Sequence, residues 1–324
     1  MDLSPAPFHP YPGASEAVAE AYWLRSDDDL RLRLALWRAE APLGTVFLFP
    51  GRTEYAEKYA PVAARLTGAG LNVLAIDWRG QGLADRLQDD PRPGHIGDFA
   101  EYQLDVVAML EGAAALGLPE PWHLLAHSMG GAIGLAALIN GLPVASASFS
   151  APMWGINHAP MPRGVAMGIS RVANRLGRAG HAAFGTGGRG TYYLDEPFQN
   201  NLLTGNAEAW ARSVHEAALW PELTLGGASY RWVGQALEEC RRLAAEPAPD
   251  VPALIALGSR ELVVSCPAIR ERAANWPGAQ LLELDGARHE VMFEIPDLQE
   301  RFFKALLAHL AHATPYSSRG ASGA

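Results

Sequence analysis

The chain is poor in cysteine, with Cys240 and Cys266 the only two among 324 residues. That count excludes a disulfide framework and fits a reducing compartment, although a single bridge is compatible with it. Long apolar runs are also missing, and nothing reaches the roughly 18 uninterrupted residues that a bilayer span requires. The N-terminus, MDLSPAPFHPYPGASEA, has acid and proline where a secretory leader needs a basic start and an apolar core. The expected location is therefore the cytoplasm, with peripheral contact on the inner face of the membrane left open. Basic charge is scarce too: 26 Lys and Arg face 35 Asp and Glu, for a net charge of −9. That balance argues against nucleic acid, whose phosphates select basic surfaces. No glycine-rich loop of dinucleotide or nucleoside-triphosphate spacing follows a strand-like run, so no organic cofactor is implied. The 10 histidines and the cysteines show no paired metal-ligand spacing.

What the chain does have is apolar material, 49% of it, in a repeating order. AYWL and LRLRLALW read as two strands split by Asp27-Asp28-Asp29, the second alternating as an antiparallel strand with one wet face. TVFLFPG, LNVLAIDWRG, WHLLAHS and VASASFSA read as strands buried on both faces, with helical stretches between them. That alternation predicts right-handed βαβ units and a mainly parallel central sheet flanked by helices. It stops at Pro152 and resumes with VPALIALGS and AQLLELDGARH. Residues 1–151 and 243–313 are therefore expected to form an α/β core, 152–242 an inserted helical segment, and 314–324 a frayed tail. A last helix, DLQERFFKALLAHLAHA, has capping-box spacing between Asp297 and Glu300.

In HLLAHSMGGAIGLAAL a hydroxyl sits between strand and helix among small residues. Ser128 is thereby placed at the C-terminal edge of a parallel sheet, where open α/β folds bind ligands. The turn Ala126-His127-Ser128-Met129-Gly130 has the form of a nucleophile elbow, G-x-S-x-G, with alanine first. The competing reading is an ordinary serine helix cap. A serine nucleophile needs a base, and the base needs an orienting carboxylate. In this type of fold the chain order is Ser, acid, His. Glu261 follows the next-to-last strand in ALGSRELVV, and His289 follows the last in LDGARHEVMFE. Asp285 and Glu290 are rival acids. An oxyanion needs two preorganised N–H donors; the candidates are the amides of Met129 and of Arg52, just past Gly51.

Taken together, the motifs resemble those of the monoacylglycerol lipase and bacterial lysophospholipase group of α/β-hydrolases, over nearly the whole chain. PGRTEYAEKY is similar to the oxyanion loop of the lysophospholipase branch, IDWRGQGLADR to the element after the next strand, and AHSMGG to the elbow. LTLGGASYRWVGQAL resembles the end of the group's lid, and GARHEVMFE its histidine loop. The resemblance implies an α/β-hydrolase fold with a helical lid inserted before the last two strands. It also implies a serine carboxylester hydrolase that cleaves lysophospholipids or monoacylglycerols through Ser128, His289 and Glu261. Asp77, Arg79 and Gly80 would be scaffold. Two departures stand out: Ala126 replaces the first elbow glycine, and Glu261 stands where the group more often has Asp. Small-ester and thioester hydrolases, acyltransferases and N-terminal aminopeptidases share the fold, and a silent binding scaffold is the reading from another class.

The inserted segment has its own charge pattern. No Asp or Glu lies between Glu120 and Asp195, whereas Arg163, Arg171, Arg175, Arg178 and Arg189 do. On a helical wheel Val165, Ile169, Val172 and Leu176 share one face, and Arg171, Arg175 and Arg178 another. Such a helix either rests its apolar face on the core with its arginines solvated, or lies on anionic lipid headgroups, or pairs with a substrate phosphate. Trp154, Trp210, Trp220 and Trp232 fall in the same segment, either as packing or as the wall of an acyl-chain tunnel.

Overall fold

A computed structural model describes residues 2–157, 163–187 and 190–313. The first strands are β1 (Ser4–Pro5), β2 (Glu20–Arg25), β3 (Arg31–Trp37) and β4 (Gly44–Phe49), followed by helix α1 (Ala60–Gly68) and strand β5 (Leu71–Asp77). Next come α2 (Tyr102–Ala115), β6 (Trp122–His127), α3 (Met129–Ile139) and β7 (Ser146–Ser150). The inserted segment contributes α4 (Arg163–Arg175), α5 (Tyr192–Asp195), α6 (Ala207–Leu219) and α7 (Tyr230–Ala245). The chain then completes the sheet with β8 (Ala253–Gly258), α8 (Cys266–Ala274), β9 (Ala279–Leu284) and α9 (Pro296–Ala313). All the strands join one sheet in the order β1-β2-β3-β5-β4-β6-β7-β8-β9. Pairing is antiparallel up to β3–β5 and parallel from β5 onward. This is the mainly parallel, helix-flanked architecture expected.

The continuous apolar runs follow from burial on both faces. Along β4, Phe47 and Phe49 point into one core with α2, α3 and α8, while Val46 and Leu48 point into the other with α1 and α9. The alternation in β3 has a different origin from the one expected. Arg33 is fully buried, because Glu57 and Asp77 both engage its guanidinium and the Pro7 carbonyl accepts from it. At Arg33 the face read as wet is instead covered by the chain's own N-terminal stretch and by the turn before α1, while Arg31 keeps its side chain 43% exposed. The last helix also starts differently: α9 opens on Pro296, a residue suited to the first helical position. Asp297 therefore lies in the first turn rather than at the cap, and Glu300 reaches Arg65 at 3.1 Å.

Among the described residues, the segment between β7 and β8 contains helices and no strand that joins the sheet. Its last helix is not peripheral. Trp232, Ala236, Cys240 and Leu243 of α7 belong to the same core cluster as α2 and α3, so the boundary at 242/243 falls inside a helix anchored in the core. α4 lies on α7 through small residues; Ser170 is 2% exposed and donates to the Tyr230 carbonyl at 2.7 Å. The opposite face of α4 looks outward, with Val172 54% exposed and Leu176, just past the helix end, 69% exposed. Arg171, Arg175 and Arg178 are exposed beside it. Trp154 and Trp210 are packed among aromatic rings, and Trp220 stacks on His9. Arg189 and residues 314–324 lie outside the described residues. No helix among those described is long and apolar enough to cross a membrane.

Candidate active site

β6 ends at His127 and α3 begins at Met129, leaving Ser128 to make the whole turn at φ 50° and ψ −117°. A side-chain-bearing residue rarely adopts positive φ, and such strain persists only where the surroundings enforce it. Here the Ser128 amide donates to the Ser150 carbonyl at 3.1 Å, and its own carbonyl accepts from Gly131 and Met153, each at 2.8 Å. The small neighbours are obligatory for steric reasons. A Cβ on Gly130 would strike the carbonyls of Phe49 and Pro50, and one on Gly131 would strike Pro152. The loop after β4 therefore rests directly on the elbow.

Two further loops arrive at the same sheet edge. His289 Nε2 lies 2.9 Å from Ser128 Oγ, and His289 Nδ1 lies 2.7 Å from Glu261 Oε2. The other oxygen of Glu261 accepts from the amides of Val263 at 2.5 Å and Val264 at 3.0 Å. Close approach of the two loops requires Gly258, where a Cβ would meet the carbonyls of Ala287 and Arg288. The rival acids are engaged elsewhere: exposed Asp285 accepts from Ser259 Oγ, and Glu290 faces Lys58 and Tyr193. All three relay residues are at most 9% exposed. Burial works to hold the imidazole neutral, yet Glu261, its hydrogen bond, Glu290 and Glu54 prevail, and His289 is more basic than a free histidine. Burial likewise opposes ionisation of Glu261, but His289 and the two amides hold its carboxyl below the usual range.

The loop after β4 is fixed by its own polar contacts. Glu54 accepts from the Gly51 amide and from the Tyr59 hydroxyl. Gln81 donates to the Gly51 carbonyl at 3.1 Å and accepts from the Thr53 amide at 3.0 Å, and Trp78 Nε1 donates to the Pro50 carbonyl at 3.0 Å. Between these held positions the Arg52 amide has no acceptor among the described residues. Met129 opens α3, so no intrahelical carbonyl takes its N–H either. Two free amides thus flank the elbow, on the loop resting against it and on the helix leaving it. Behind this loop, Asp77 accepts from Arg33, Ala56 and Leu83, and Arg79 pairs with Asp28 and Asp105, as befits scaffold.

Sequence reasoning missed a buried ionic cluster beside His289. Lys58 donates to Glu54 at 2.7 Å, to Glu290 at 2.6 Å and to the Tyr193 hydroxyl at 2.8 Å. Tyr193, from α5 of the inserted segment, also donates to Glu290 at 2.8 Å. Glu54 lies 3.8 Å from His127 Nε2, and the His127 ring sits 4.9 Å from that of His289. Burial alone would raise the Glu54 carboxyl, but Lys58 and His127 bring it down to about 2. The four-residue spacing of Glu54 and Lys58 is visible in the sequence, but nothing in the local pattern marks the pair as buried. Among the described residues, no group of three His, Cys, Asp or Glu is disposed to hold a metal.

A serine on a strained strand-to-helix turn, linked through histidine to a carboxylate at the C-terminal edge of a mainly parallel sheet, is the arrangement of the α/β-hydrolases. The chain belongs to the Hydrolase_4 family (serine aminopeptidase, S33), which matches residues 40–296, and within it falls among serine ester hydrolases of the lysophospholipase and monoacylglycerol lipase kind. It is 34% identical over 280 residues to lysophospholipase L2 of Escherichia coli (strain K12), spanning 82% of this chain and 80% of that protein. Over 109 residues it is 36% identical to a monoacylglycerol lipase of Mycolicibacterium smegmatis, a match covering 33% of this chain and 37% of that one. A monoglyceride lipase from Saccharomyces cerevisiae, crystallised with a substrate analogue, shares the fold with a TM-score of 0.72. Its identity is 18%, with 94% of this chain and 99% of that chain covered.

Proposed function

We propose that the protein hydrolyses the ester of monoacyl, lipid-like substrates, lysophospholipids or monoacylglycerols, through an acyl-enzyme on Ser128. His289 Nε2 takes the Ser128 proton as Oγ attacks the ester carbonyl. The amides of Arg52 and Met129 receive the oxyanion, and the departing alcohol leaves with the proton held by the imidazole. Water then attacks the acyl-enzyme by the same route, giving the fatty acid and free serine. Glu261 fixes the tautomer that points a lone pair at Ser128 and stabilises the imidazolium. The observation that carries this reading is the unbroken relay from Ser128 through His289 to Glu261, 2.9 Å and 2.7 Å.

The outer row of α4 supports delivery of such substrates from an anionic lipid surface. Val165, Ile169, Val172 and Leu176 have no core to rest on, and exposed arginines border them. An aminopeptidase, the activity in the family's description, would need a carboxylate beside the pocket for the substrate's free ammonium. The charge on the loop next to the elbow that has no ionic partner among the described residues is Arg52, which has the opposite sign.

The test is a panel of monoacyl lipids and short p-nitrophenyl esters, with and without anionic vesicles. Wild-type protein is expected to hydrolyse the monoacyl lipids and to label with a fluorophosphonate. Ser128→Ala should lose both by several powers of ten. Undiminished turnover in that variant ends the proposal.

A further inference from the structure

The relay does not distinguish a phospholipid from a neutral glyceride, and the side chain that bears on that choice is Arg52. Arg52 follows Gly51 on the loop that rests on the elbow, so the residue whose amide is assigned to the oxyanion also brings a guanidinium to that corner. Arg272, buried, donates to the Glu246 and Leu243 carbonyls, whereas Arg33 faces the carboxylates of Glu57 and Asp77 and Arg79 that of Asp105. Arg52 faces none among the described residues. One guanidinium nitrogen donates to the Gly226 carbonyl at 3.3 Å, and Cζ lies 5.4 Å from the centre of the Trp232 ring. Burial brings its pKa down to about 10, with the Tyr102 hydroxyl nearby in partial compensation, so it stays charged at neutral pH.

Among the described residues the surroundings offer carbonyl and hydroxyl oxygens but no free carboxylate. The indole N–H of Trp232 is buried with no acceptor in hydrogen-bonding geometry, although the Tyr102 hydroxyl is close enough to influence it. Asp105, the carboxylate acting on Tyr102, is engaged by the Arg79 guanidinium at 2.8 Å. The long stretch from Pro121 to Leu194 has no Asp or Glu to offer. Arg52 is half-buried, and a cation partly withdrawn from water favours an anionic partner. The Arg52 guanidinium and the Trp232 indole N–H thus form a donor pair that faces no carboxylate among the described residues.

We propose that the Arg52 guanidinium, with the Trp232 indole N–H beside it, receives the phosphodiester of a lysophospholipid whose ester carbonyl lies against Ser128. A guanidinium fork matches two oxygens of one phosphate. In such a lipid only the glycerol unit separates ester from phosphate, so the amide and side chain of one residue serve both. A monoacylglycerol offers the same ester without the anion. This assignment rests on the hydrolase reading above and adds the headgroup to it.

The experiment compares kcat/KM for decanoyl lysophosphatidylethanolamine and monodecanoylglycerol, both below their critical micelle concentrations, so that no lipid surface contributes. The readout is the ratio of the two values. Arg52→Met is expected to lower that ratio by about ten-fold or more, Arg52→Lys to recover part of it, and Trp232→Phe to lower it by roughly three-fold. A ratio within two-fold of wild type in Arg52→Met, even with both activities reduced, overturns the headgroup assignment and leaves the hydrolase reading intact. Wild-type protein that cleaves neither lipid sinks the hydrolase reading itself. Should Arg52→Met fail to fold, inhibition of wild-type monodecanoylglycerol hydrolysis decides. Glycerophosphoethanolamine is expected to inhibit at least ten-fold more strongly than glycerol, and equal inhibition overturns the assignment.

Discussion

Glu261→Gln removes one charge and almost no volume, and the local geometry dictates how the new side chain sits. Glu261 Oε1 accepts from the amides of Val263 and Val264 while Oε2 faces His289 Nδ1. A glutamine keeps its carbonyl oxygen on the two amides, since reversing it would set N–H against N–H and forfeit two buried hydrogen bonds, about 1 kcal/mol each or more. Its NH2 therefore meets Nδ1, which must become an acceptor. The ring proton moves to Nε2, where it points at Ser128 Oγ from 2.9 Å and blocks proton removal. Loss of the base together with the imidazolium's counter-charge predicts a fall in kcat of roughly a thousand- to ten-thousand-fold, or about 4–5.5 kcal/mol of barrier. The assay is kcat for a monoacyl ester across pH, with a thermal melt to show that the fold persists. In wild type, activity should be lost as pH falls through a midpoint above 6.5, because His289 holds its proton more tightly than a free imidazole. In the variant that midpoint should move down, since the carboxylate that raised it is gone. A kcat within ten-fold of wild type, or an equal loss in Asp285→Asn, would refute the assignment of the acid.

Ser128→Gly should be inactive yet more stable than Ser128→Ala by about 1 kcal/mol, because glycine tolerates the positive φ of the elbow; urea denaturation compares the two. Lys58→Met strands the carboxylates of Glu54 and Glu290 without their cation, so unfolding should cost about 3–5 kcal/mol less, read as a lower urea midpoint that Lys58→Met combined with Glu290→Gln partly restores. Val172→Ser with Leu176→Ser should weaken sedimentation with anionic vesicles several-fold while leaving the melting temperature within a few degrees; unchanged sedimentation removes α4 from the lipid contact.

The strands and most helices were legible because a sheet buried on both faces can be built only from continuous apolar runs, as in β4 to β7. Chain order pointed to Ser128, Glu261 and His289, and strand ends meeting at one sheet edge bring their side chains into hydrogen-bond contact. What pattern could not convey was which polar residues become buried. Arg33 looked wet because its carboxylates come from Glu57 and Asp77, tens of positions away. Glu54 and Lys58 carried no local sign of burial, because Glu290 and Tyr193, which enclose them, arrive from distant parts of the chain. The apolar row of α4 was ambiguous for a related reason: that helix docks through Ala166, Ser170 and Ala173, which contribute little to a hydrophobic wheel.

The Tyr193 phenol makes the inserted segment a stakeholder in the chemistry at the sheet edge. Its hydroxyl ends on the carboxylate of Glu290, the residue next to His289, and on the ammonium that balances it. Peeling α5 from the body of the protein would strip a donor from Glu290 and an acceptor from Lys58, redistributing charge within one residue of the imidazole. Agents that loosen this segment should therefore alter the enzyme's pH response before they abolish its activity.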